Sequence, residues 1–243
     1  MTTSIHASAS PAPRLLQLGM VIFPGLTLLD LVGPQAALGL HAQTHLLWKT
    51  LNPVMSDSGI AIVPTATFAA CETPFDILFV PGGLGTNAAM QDAEILAFLR
   101  VHGATARYVT SVCTGALILG AAGLLDGYQA ATHWSSYEAL DALGIDGVHR
   151  RVVADGNRRT GGGVTAGIDF GLSLLAELRG ERAAKTAQLM LEYDPQPPFI
   201  AGSPKTAEPE IVDAVVGILK GLGDNGLDAM ISTARKTRAE RVQ

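Results

Sequence analysis

Residues 107–125, RYVTSVCTGALILGAAGLL, place a cysteine at the point where a predicted strand meets a predicted helix. A β-branched run ends at Cys113, and a long run of helix-forming residues begins after Thr114 and Gly115. A short apolar strand followed by a helix is the repeating unit of a parallel α/β sheet. The stretch therefore predicts an α/β fold with a thiol at a strand-to-helix junction.

The rest of the chain alternates in the same way. Apolar strand patterns precede helical patterns, and Asp155-Gly156 marks the turn of a hairpin. This alternation predicts one domain with a mostly parallel sheet and helices on both faces. We assign residues 1–13 to a disordered leader, 14–222 to the α/β domain and 223–243 to a helical, charged tail, whose last residues, 233–243, we expect to be solvated. Predicted strands cover 15–24, 44–51, 60–68, 75–83 and 107–112, and predicted helices include 92–104, 114–123, 135–144, 168–180 and 182–193.

Composition restricts the classes of function. The 243 residues carry a net charge of −5 and include two cysteines. An acidic balance argues against a nucleic-acid partner, and two cysteines are too few for a disulfide framework. The N-terminus lacks a secretory signal, and no apolar run is long enough to cross a membrane without interruption. We therefore expect a cytoplasmic protein without a membrane or nucleic-acid partner.

Three polar or glycine-rich stretches follow predicted strands, namely FPGLTLLD, PGG and VCTG. In a parallel sheet, ligands bind at the carboxyl ends of the strands, so these stretches predict an active site. Cys113 is the candidate nucleophile, because the positive end of a helix dipole lowers the pKa of a thiol. The N–H groups of Thr114 and Gly83 would hold developing negative charge if the two loops adjoin. The alternative is that Cys113 is one more small buried residue.

A nucleophile needs a group that exchanges protons with it. Asp30 is a carboxylate inside an apolar stretch, and His133 lies just before a predicted helix. Asp30 could instead cap a helix, and His133 could be a structural hydrogen-bonding group. We expect no catalytic role for Cys71. Residues 160–167, TGGGVTAG, lack the features of a nucleotide-binding loop, and we interpret them as a tight turn passing close to the active site. No spacing indicates a metal site, so no metal or other cofactor is expected.

Five motifs together resemble the ThiJ/PfpI superfamily, which is class I glutamine amidotransferase-like, and within it the isonitrile (isocyanide) hydratase branch. The resemblance spans most of the chain, and the cysteine elbow is its most widespread element. The narrower group that shares these motifs includes the sensor domains of AraC-type regulators, while the last motif favours stand-alone hydratases. The motifs are FPGLTLLDLVGP (23–34), DILFVPGGLGT (76–86), VTSVCTGALILGAAGLLDGYQAATHW (109–134), TGGGVTAGID (160–169) and PQPPFIAGSP (195–204).

The resemblance implies a flavodoxin-like fold, a homodimer and a cofactor-independent hydration of an isonitrile through a covalent cysteine thioimidate. It implies that Cys113 is the nucleophile and that Asp30 lies beside it as general acid and base. Thr114 would assist catalysis through its amide and through a hydroxyl bonded to Asp30 or the substrate, and Gly83 and His133 would contact substrate or developing charge. Peptidases of the superfamily have His after the cysteine, where this chain has Thr114, which disfavours proteolysis. The alternatives are a glyoxalase, deglycase or redox-responsive cysteine protein, and a ligand sensor.

Overall fold

The computed structural model describes residues 14–242, and the predicted leader, 1–13, lies outside the described residues. Within this range the chain forms eleven strands. Five of them have two residues, three have four, and the longest has seven. The strands are β1 (Leu16–Val21), β2 (Ala42–Trp48), β3 (Val54–Met55), β4 (Ala61–Ile62), β5 (Ala66–Thr67), β6 (Ile77–Val80), β7 (Tyr108–Val112), β8 (Gln129–Ala130), β9 (Asp146–Gly147), β10 (Val152–Asp155) and β11 (Arg158–Gly161).

Helices lie between β1 and β2, β6 and β7, β7 and β8, and β8 and β9, and further helices follow β11. The α-helices of the described part are α1 (Leu28–Leu38), α2 (Thr86–Ala89), α3 (Ala93–Gly103), α4 (Gly115–Ala121), α5 (Tyr137–Ala142), α6 (Ala166–Arg179), α7 (Glu181–Met190), α8 (Pro209–Lys220) and α9 (Leu227–Val242). Two 3-10 turns cover Trp134–Ser136 and Gly223–Asn225. Asp92 caps α3, the helix predicted over 92–104, by accepting hydrogen bonds from the N–H groups of Glu94 and Ile95.

The main sheet has seven strands in the order β10-β11-β7-β6-β1-β2-β5. All neighbours pair in parallel except β10, which forms the predicted antiparallel hairpin with β11. The prediction of a single-domain, doubly wound, mostly parallel α/β fold is confirmed. Every residue of the central strand β6 is buried, because helices cover both faces of the sheet. The carboxyl ends of β1, β6 and β7 therefore meet at one edge.

The predicted strand over 60–68 is divided in two. β4 pairs with β3 in a small separate sheet, whereas β5 joins the edge of the main sheet beside β2. Pro64 lies between them and has no backbone N–H to donate to a ladder. The interruption by proline explains why one apolar run yields two short strands.

The last helix of the described chain, α9, packs against the rest of the domain. Leu227, Met230 and Ala234 on α9 are buried, and the helix contacts α2, α4 and α5. Arg241 donates to the carbonyl oxygen of Gly120 at 2.6 Å. The residues expected to be solvated, 233–243, are mostly exposed where the structure describes them, although Ala234 is buried. The packing face of α9 is supplied mainly by Leu227 and Met230, which precede them. The division of the chain at residue 222 stays a prediction.

None of the helices over residues 14–242 combines the length and the apolar character that a membrane span requires.

Candidate active site

Three loops at the carboxyl edge of the sheet are joined by hydrogen bonds. The Gly82 N–H donates to Asp30 Oδ2 at 2.9 Å, and the Gly83 N–H donates to Thr114 Oγ1 at 3.0 Å. The Thr27 N–H donates to the carbonyl oxygen of Gly82 at 2.8 Å. The structure thus brings together the loops after β1, β6 and β7 that the sequence singled out.

Cys113 occupies a sharp turn between β7 and α4. Its φ of 54° lies in the left-handed region that favours glycine, a conformation that costs about 1–3 kcal/mol for other residues. Its N–H donates to the carbonyl oxygens of Gly161 and Gly162, and its own carbonyl oxygen accepts from Thr132 Oγ1 at 3.0 Å. These bonds from neighbouring segments hold the thiol at the junction.

Gly82 allows the loops to approach each other. A Cβ atom at this position would lie 2.5 Å from both the backbone nitrogen and Oγ1 of Thr114, and 3.0 Å from Asp30 Oδ2. No side chain fits there without moving the groups around the thiol. The glycine is therefore a requirement of the site geometry.

Asp30 lies on the first turn of α1 and is fully buried. Burial raises the pKa of its carboxyl to about 7, although hydrogen bonds from the Gly82 N–H and the Cys113 thiol lower it, and the charge of Asp57 raises it further. Its Oδ1 has no well-formed hydrogen bond with any residue that the structure describes. A buried carboxyl with one spare oxygen and a pKa near neutrality can both accept and donate a proton.

Cys113 departs from the prediction that the helix dipole lowers its pKa. Burial raises the pKa of the thiol well above its usual value, and the negative charge of Asp30 raises it further. Hydrogen bonds from the N–H groups of Thr114 and Val164 lower the pKa but do not reverse the shift. The predicted direction of the pKa shift was wrong, because desolvation of the thiol and the neighbouring negative charge raise its pKa by more than one helix terminus lowers it.

The two pKa shifts determine where the proton resides. The carboxyl, with a pKa of about 7, loses its proton before the thiol, whose pKa is raised well above 9.0. The form with one proton therefore keeps that proton on sulfur, hydrogen-bonded to the carboxylate. Asp30 is placed to take this proton when the sulfur attacks a substrate.

The Thr114 hydroxyl has other partners than the expected Asp30. Its Oγ1 accepts from the Gly83 N–H and lies 2.7 Å from Thr86 Oγ1. The Asp30 side chain is not among its partners within residues 14–242. Of the two expected partners of the hydroxyl, Asp30 is thus not found, and Asp30 Oδ2 accepts from the Gly82 N–H instead. A hydrogen bond from the hydroxyl to the substrate stays a prediction.

The pair of backbone donors also differs from the prediction. The Gly83 N–H is engaged by Thr114 Oγ1, so the second amide that reaches the sulfur, besides that of Thr114, belongs to Val164. Val164 lies in the glycine-rich turn after β11 that we expected to pass close to the site. Gly83 still lines the cavity in front of the thiol.

His133 lines this cavity and also has a local structural role. Its Nδ1 lies 2.7 Å from Ser135 Oγ and accepts from the Ser135 N–H, which caps the turn Trp134–Ser136 before α5. Burial lowers the pKa of its imidazole, which favours the neutral ring. The structural interpretation of His133 is thus supported, and its role in catalysis stays a prediction.

A cavity of about 180 Å³ leads to Cys113. Sequence reasoning missed several of its walls, because apolar side chains and main-chain amides carry no chemical signature. The missed residues are Leu84, Val164, Leu219, Asn225, Leu227 and Met230. Most are apolar, so the cavity suits an uncharged group.

The described residues contain no group of three or more His, Cys, Asp or Glu side chains arranged to hold a metal ion. Cys71 is half-buried and unpaired, and it does not line the cavity.

Comparison with known proteins places these features in context. The sequence profile of the DJ-1/PfpI family matches residues 18–177. The chain is 52% identical over 200 residues to an isonitrile hydratase from Pseudomonas putida, a match that covers 82% of this chain and 87% of that protein. It is 28% identical over 187 residues to the HTH-type transcriptional regulator GbdR of Pseudomonas aeruginosa, covering 73% of this chain and 50% of the regulator. The crystal structure of a ThiJ/PfpI family protein from Pseudomonas syringae superposes with a TM-score of 0.86 at 47% identity, covering 97% of this chain and 99% of that one.

Proposed function

Because the chain belongs to the DJ-1/PfpI family, we propose that its buried Asp30–Cys113 pair makes it an isonitrile hydratase. The enzyme adds water to an isonitrile, R–N≡C, and releases the N-substituted formamide, R–NH–CHO. The observation that carries this proposal is a thiol that lines a mostly apolar cavity and is coupled to a buried carboxyl whose pKa is about 7. The identity of 52% to an isonitrile hydratase over most of both chains supports the choice of substrate.

The first half of the reaction forms a covalent bond to sulfur. Asp30 takes the thiol proton as Cys113 Sγ attacks the terminal carbon of the isonitrile. The protonated Asp30 then delivers the same proton to that carbon, which gives the thioimidate R–N=CH–S–Cys. One carboxyl thus acts first as base and then as acid, which requires a pKa near the working pH.

The second half consumes water. The Asp30 carboxylate accepts a proton from water as the hydroxyl adds to the thioimidate carbon, and it passes this same proton to the imine nitrogen, which gives R–NH–CH(OH)–S–Cys. The tetrahedral intermediate expels the Cys113 thiolate and releases the formamide, and the hydroxyl proton returns to the Asp30–Cys113 pair. The overall reaction consumes one isonitrile and one water, and it leaves the protein unchanged.

Backbone amides stabilise the charge on sulfur. The N–H groups of Thr114 and Val164 lower the pKa of Cys113, so they favour the thiolate both when it attacks and when it leaves. We propose that Thr114 also keeps the elbow in place through its hydroxyl. Gly83 and His133 contact the substrate as parts of the cavity wall.

We further propose that the protein is a cytoplasmic homodimer that does not bind nucleic acid. Both cysteines are unpaired, which is compatible with a reducing compartment. None of the residues of α8 is buried, and Ile211 and Ile218 on this helix are at least half exposed, as is usual for a surface that covers a second copy. Light scattering of the purified protein tests the dimer, and a monomer at micromolar concentration contradicts it.

The test of the function is direct. Purified protein is incubated with phenyl isonitrile, and formamide formation is followed by chromatography. We expect turnover by the wild type and none by Cys113→Ala, with circular dichroism showing that the variant is folded. A folded Cys113→Ala variant that still turns over would exclude the nucleophile. A wild type whose Cys113 reacts with iodoacetamide but which forms no formamide would exclude the substrate.

A further inference from the structure

The segment from Leu219 to Met230, here called the C-terminal wall, closes one side of the active-site cavity. Leu219 lies near the end of α8, Asn225 lies in the 3-10 turn, and Leu227 and Met230 lie on the first turn of α9. Leu227 and Met230 are buried although the segment around them is mostly exposed. Their apolar side chains thus face the cavity and the helices next to it.

A partly buried hydrogen bond connects this wall to the catalytic loops. Asn87 Nδ2 donates to the carbonyl oxygen of Asp224 at 2.7 Å. Asn87 is buried on α2, the short helix that follows the Gly82–Gly83 loop. The wall is therefore held at a fixed distance from the groups that surround Cys113.

The geometry of an isonitrile directs its substituent away from the sulfur. The R–N≡C group is linear, so a carbon positioned at Cys113 Sγ places the substituent further out along the same axis. The cavity holds about 180 Å³, less than the roughly 300–1,000 Å³ of sites for drug-sized ligands. Its space beyond the thiol is bounded by Leu84, Val164 and the C-terminal wall.

We propose that the C-terminal wall determines substrate specificity, with Met230 as its main residue, and that it restricts the enzyme to isonitriles with compact hydrocarbon substituents. This inference rests on the proposed hydratase function. Polar side chains such as Ser135 and Asn225 also line the cavity, but the wall residues Leu219, Leu227 and Met230 offer no hydrogen-bond partner. A charged or strongly polar substituent against these three side chains would lose its hydration without compensation. Asn87 is a positioning residue for this wall. Met230 is unbranched, and truncating it enlarges the cavity next to the reacting atoms.

The test compares kcat/KM for methyl isonitrile and 2-naphthyl isonitrile. Met230→Ala is expected to raise the naphthyl-to-methyl ratio by about tenfold or more, because a few methylenes in an apolar pocket are worth about 10–200-fold in discrimination. Met230→Phe is expected to lower the same ratio. Asn87→Ala is expected to raise the naphthyl-to-methyl ratio although every wall residue is unchanged. A general loss of stability would not produce this effect.

Ile231→Ala is the matched control. Ile231 is the next residue on α9 and is half-buried, but it does not line the cavity that holds Cys113. Its truncation removes a similar amount of apolar surface from the same helix, so the ratio is expected to stay within about twofold of the wild type. A ratio that does not change in either Met230 variant, or that changes equally in Ile231→Ala, overturns the proposal.

A second measurement separates this proposal from the hydratase function. Alkylation of Cys113 by iodoacetamide and by N-(1-naphthyl)iodoacetamide is followed by peptide mass spectrometry, which distinguishes Cys113 from Cys71. Met230→Ala is expected to accelerate the bulky reagent selectively, and Met230→Phe to slow it. This result supports the role of the C-terminal wall in limiting access to Cys113 even if no isonitrile is hydrated. Equal acceleration of the two reagents contradicts that role.

Discussion

The Asp30 carboxyl and the Cys113 thiol share a buried site in which each affects the proton affinity of the other. The charge of Asp30 raises the pKa of the thiol, and the hydrogen bond from the thiol lowers the pKa of the carboxyl, which burial still keeps at about 7. The thiol is therefore unreactive until Asp30 takes its proton. Coupling of this kind limits thiolate formation to the moment when the sulfur attacks.

Replacing Asp30 with Asn removes the proton acceptor but preserves the shape of the side chain. We expect kcat for an isonitrile to fall by about 10²–10⁴-fold, the usual contribution of a general acid or base. We also expect the pKa of Cys113 to fall, because the neighbouring negative charge is gone. Steady-state kinetics and the pH dependence of iodoacetamide alkylation measure the two effects. Full turnover by a folded Asp30→Asn variant would contradict the assignment.

The pH dependence of kcat/KM follows from the order of the two ionisations. Below the carboxyl pKa of about 7 the pair holds two protons, and Asp30 cannot take the thiol proton. The form with one proton is the active one, so kcat/KM is expected to rise as pH increases through about 7. It should decline only at alkaline pH, where the thiol also ionises and no proton remains to deliver to carbon. A rate that falls as pH rises through 7 is incompatible with this order.

Stability should depend on pH in the opposite sense. The pKa of Asp30 is about 7 in the folded state and about 4 when unfolded, so the folded state binds more protons between these values. The contribution of Asp30 to stability is thus greatest below pH 4 and is lost as pH rises towards 7 and beyond.

Asp30→Asn removes this dependence. From pH 5 to pH 8, the free energy of unfolding of the variant should increase relative to the wild type by roughly 2–3 kcal/mol. This is the free energy expected because the pKa of Asp30 is about 7 in the folded state, so that only the folded wild type keeps this proton between pH 5 and pH 7. Urea unfolding at the two pH values measures this difference and cancels the contributions of other carboxylates. If the free energies of unfolding of the two proteins differ by the same amount at both pH values, burial does not raise the pKa of Asp30.

The sequence predicted the parts of the site that depend on local pattern. A strand that ends at Cys113 and an isolated acid at Asp30 are visible in a few residues, and parallel sheets bring strand ends together. The sign of the Cys113 pKa shift was not predictable, because it depends on how completely other segments bury the thiol. Local dipole arguments assume a solvent-exposed helix terminus, and this terminus is covered.

The residues of the site that the sequence did not predict lie far from Cys113 along the chain. Leu219 and Met230 lie more than 100 residues after Cys113 and are ordinary apolar residues in a charged region. Val164 reaches the thiol through its backbone N–H, which any residue type except proline could supply. Such contributions follow from tertiary packing and leave no pattern in the sequence.

Thr86 positions the elbow through Thr114. The two hydroxyl oxygens lie 2.7 Å apart, and both side chains are buried. Thr86→Val removes this hydrogen bond at nearly constant volume and is expected to lower kcat roughly three- to tenfold, with little change in KM, because the Thr114 amide is less well held at the sulfur.

Thr110→Val is the control for this variant. Thr110 is equally buried and donates to the carbonyl oxygen of Leu78 at 2.9 Å, but it takes no part in the site. Both variants should lose about 1 kcal/mol of stability, as expected for one buried hydrogen bond. Only Thr86→Val should lose activity, and an equal loss in the two variants would assign Thr86 a purely structural role.

His133 is expected to act as a cap and a cavity wall without transferring a proton. Asn can accept the same hydrogen bond from the Ser135 N–H, so His133→Asn should keep the turn before α5 and keep kcat within about threefold. KM should rise, because the imidazole ring no longer lines the cavity. His133→Ala should lower the melting temperature, since removing a capping side chain costs about 1 kcal/mol. Thermal melts and steady-state kinetics of both variants separate the two roles. A loss of kcat beyond 100-fold in a stable His133→Asn variant would show that the ring exchanges a proton with the substrate.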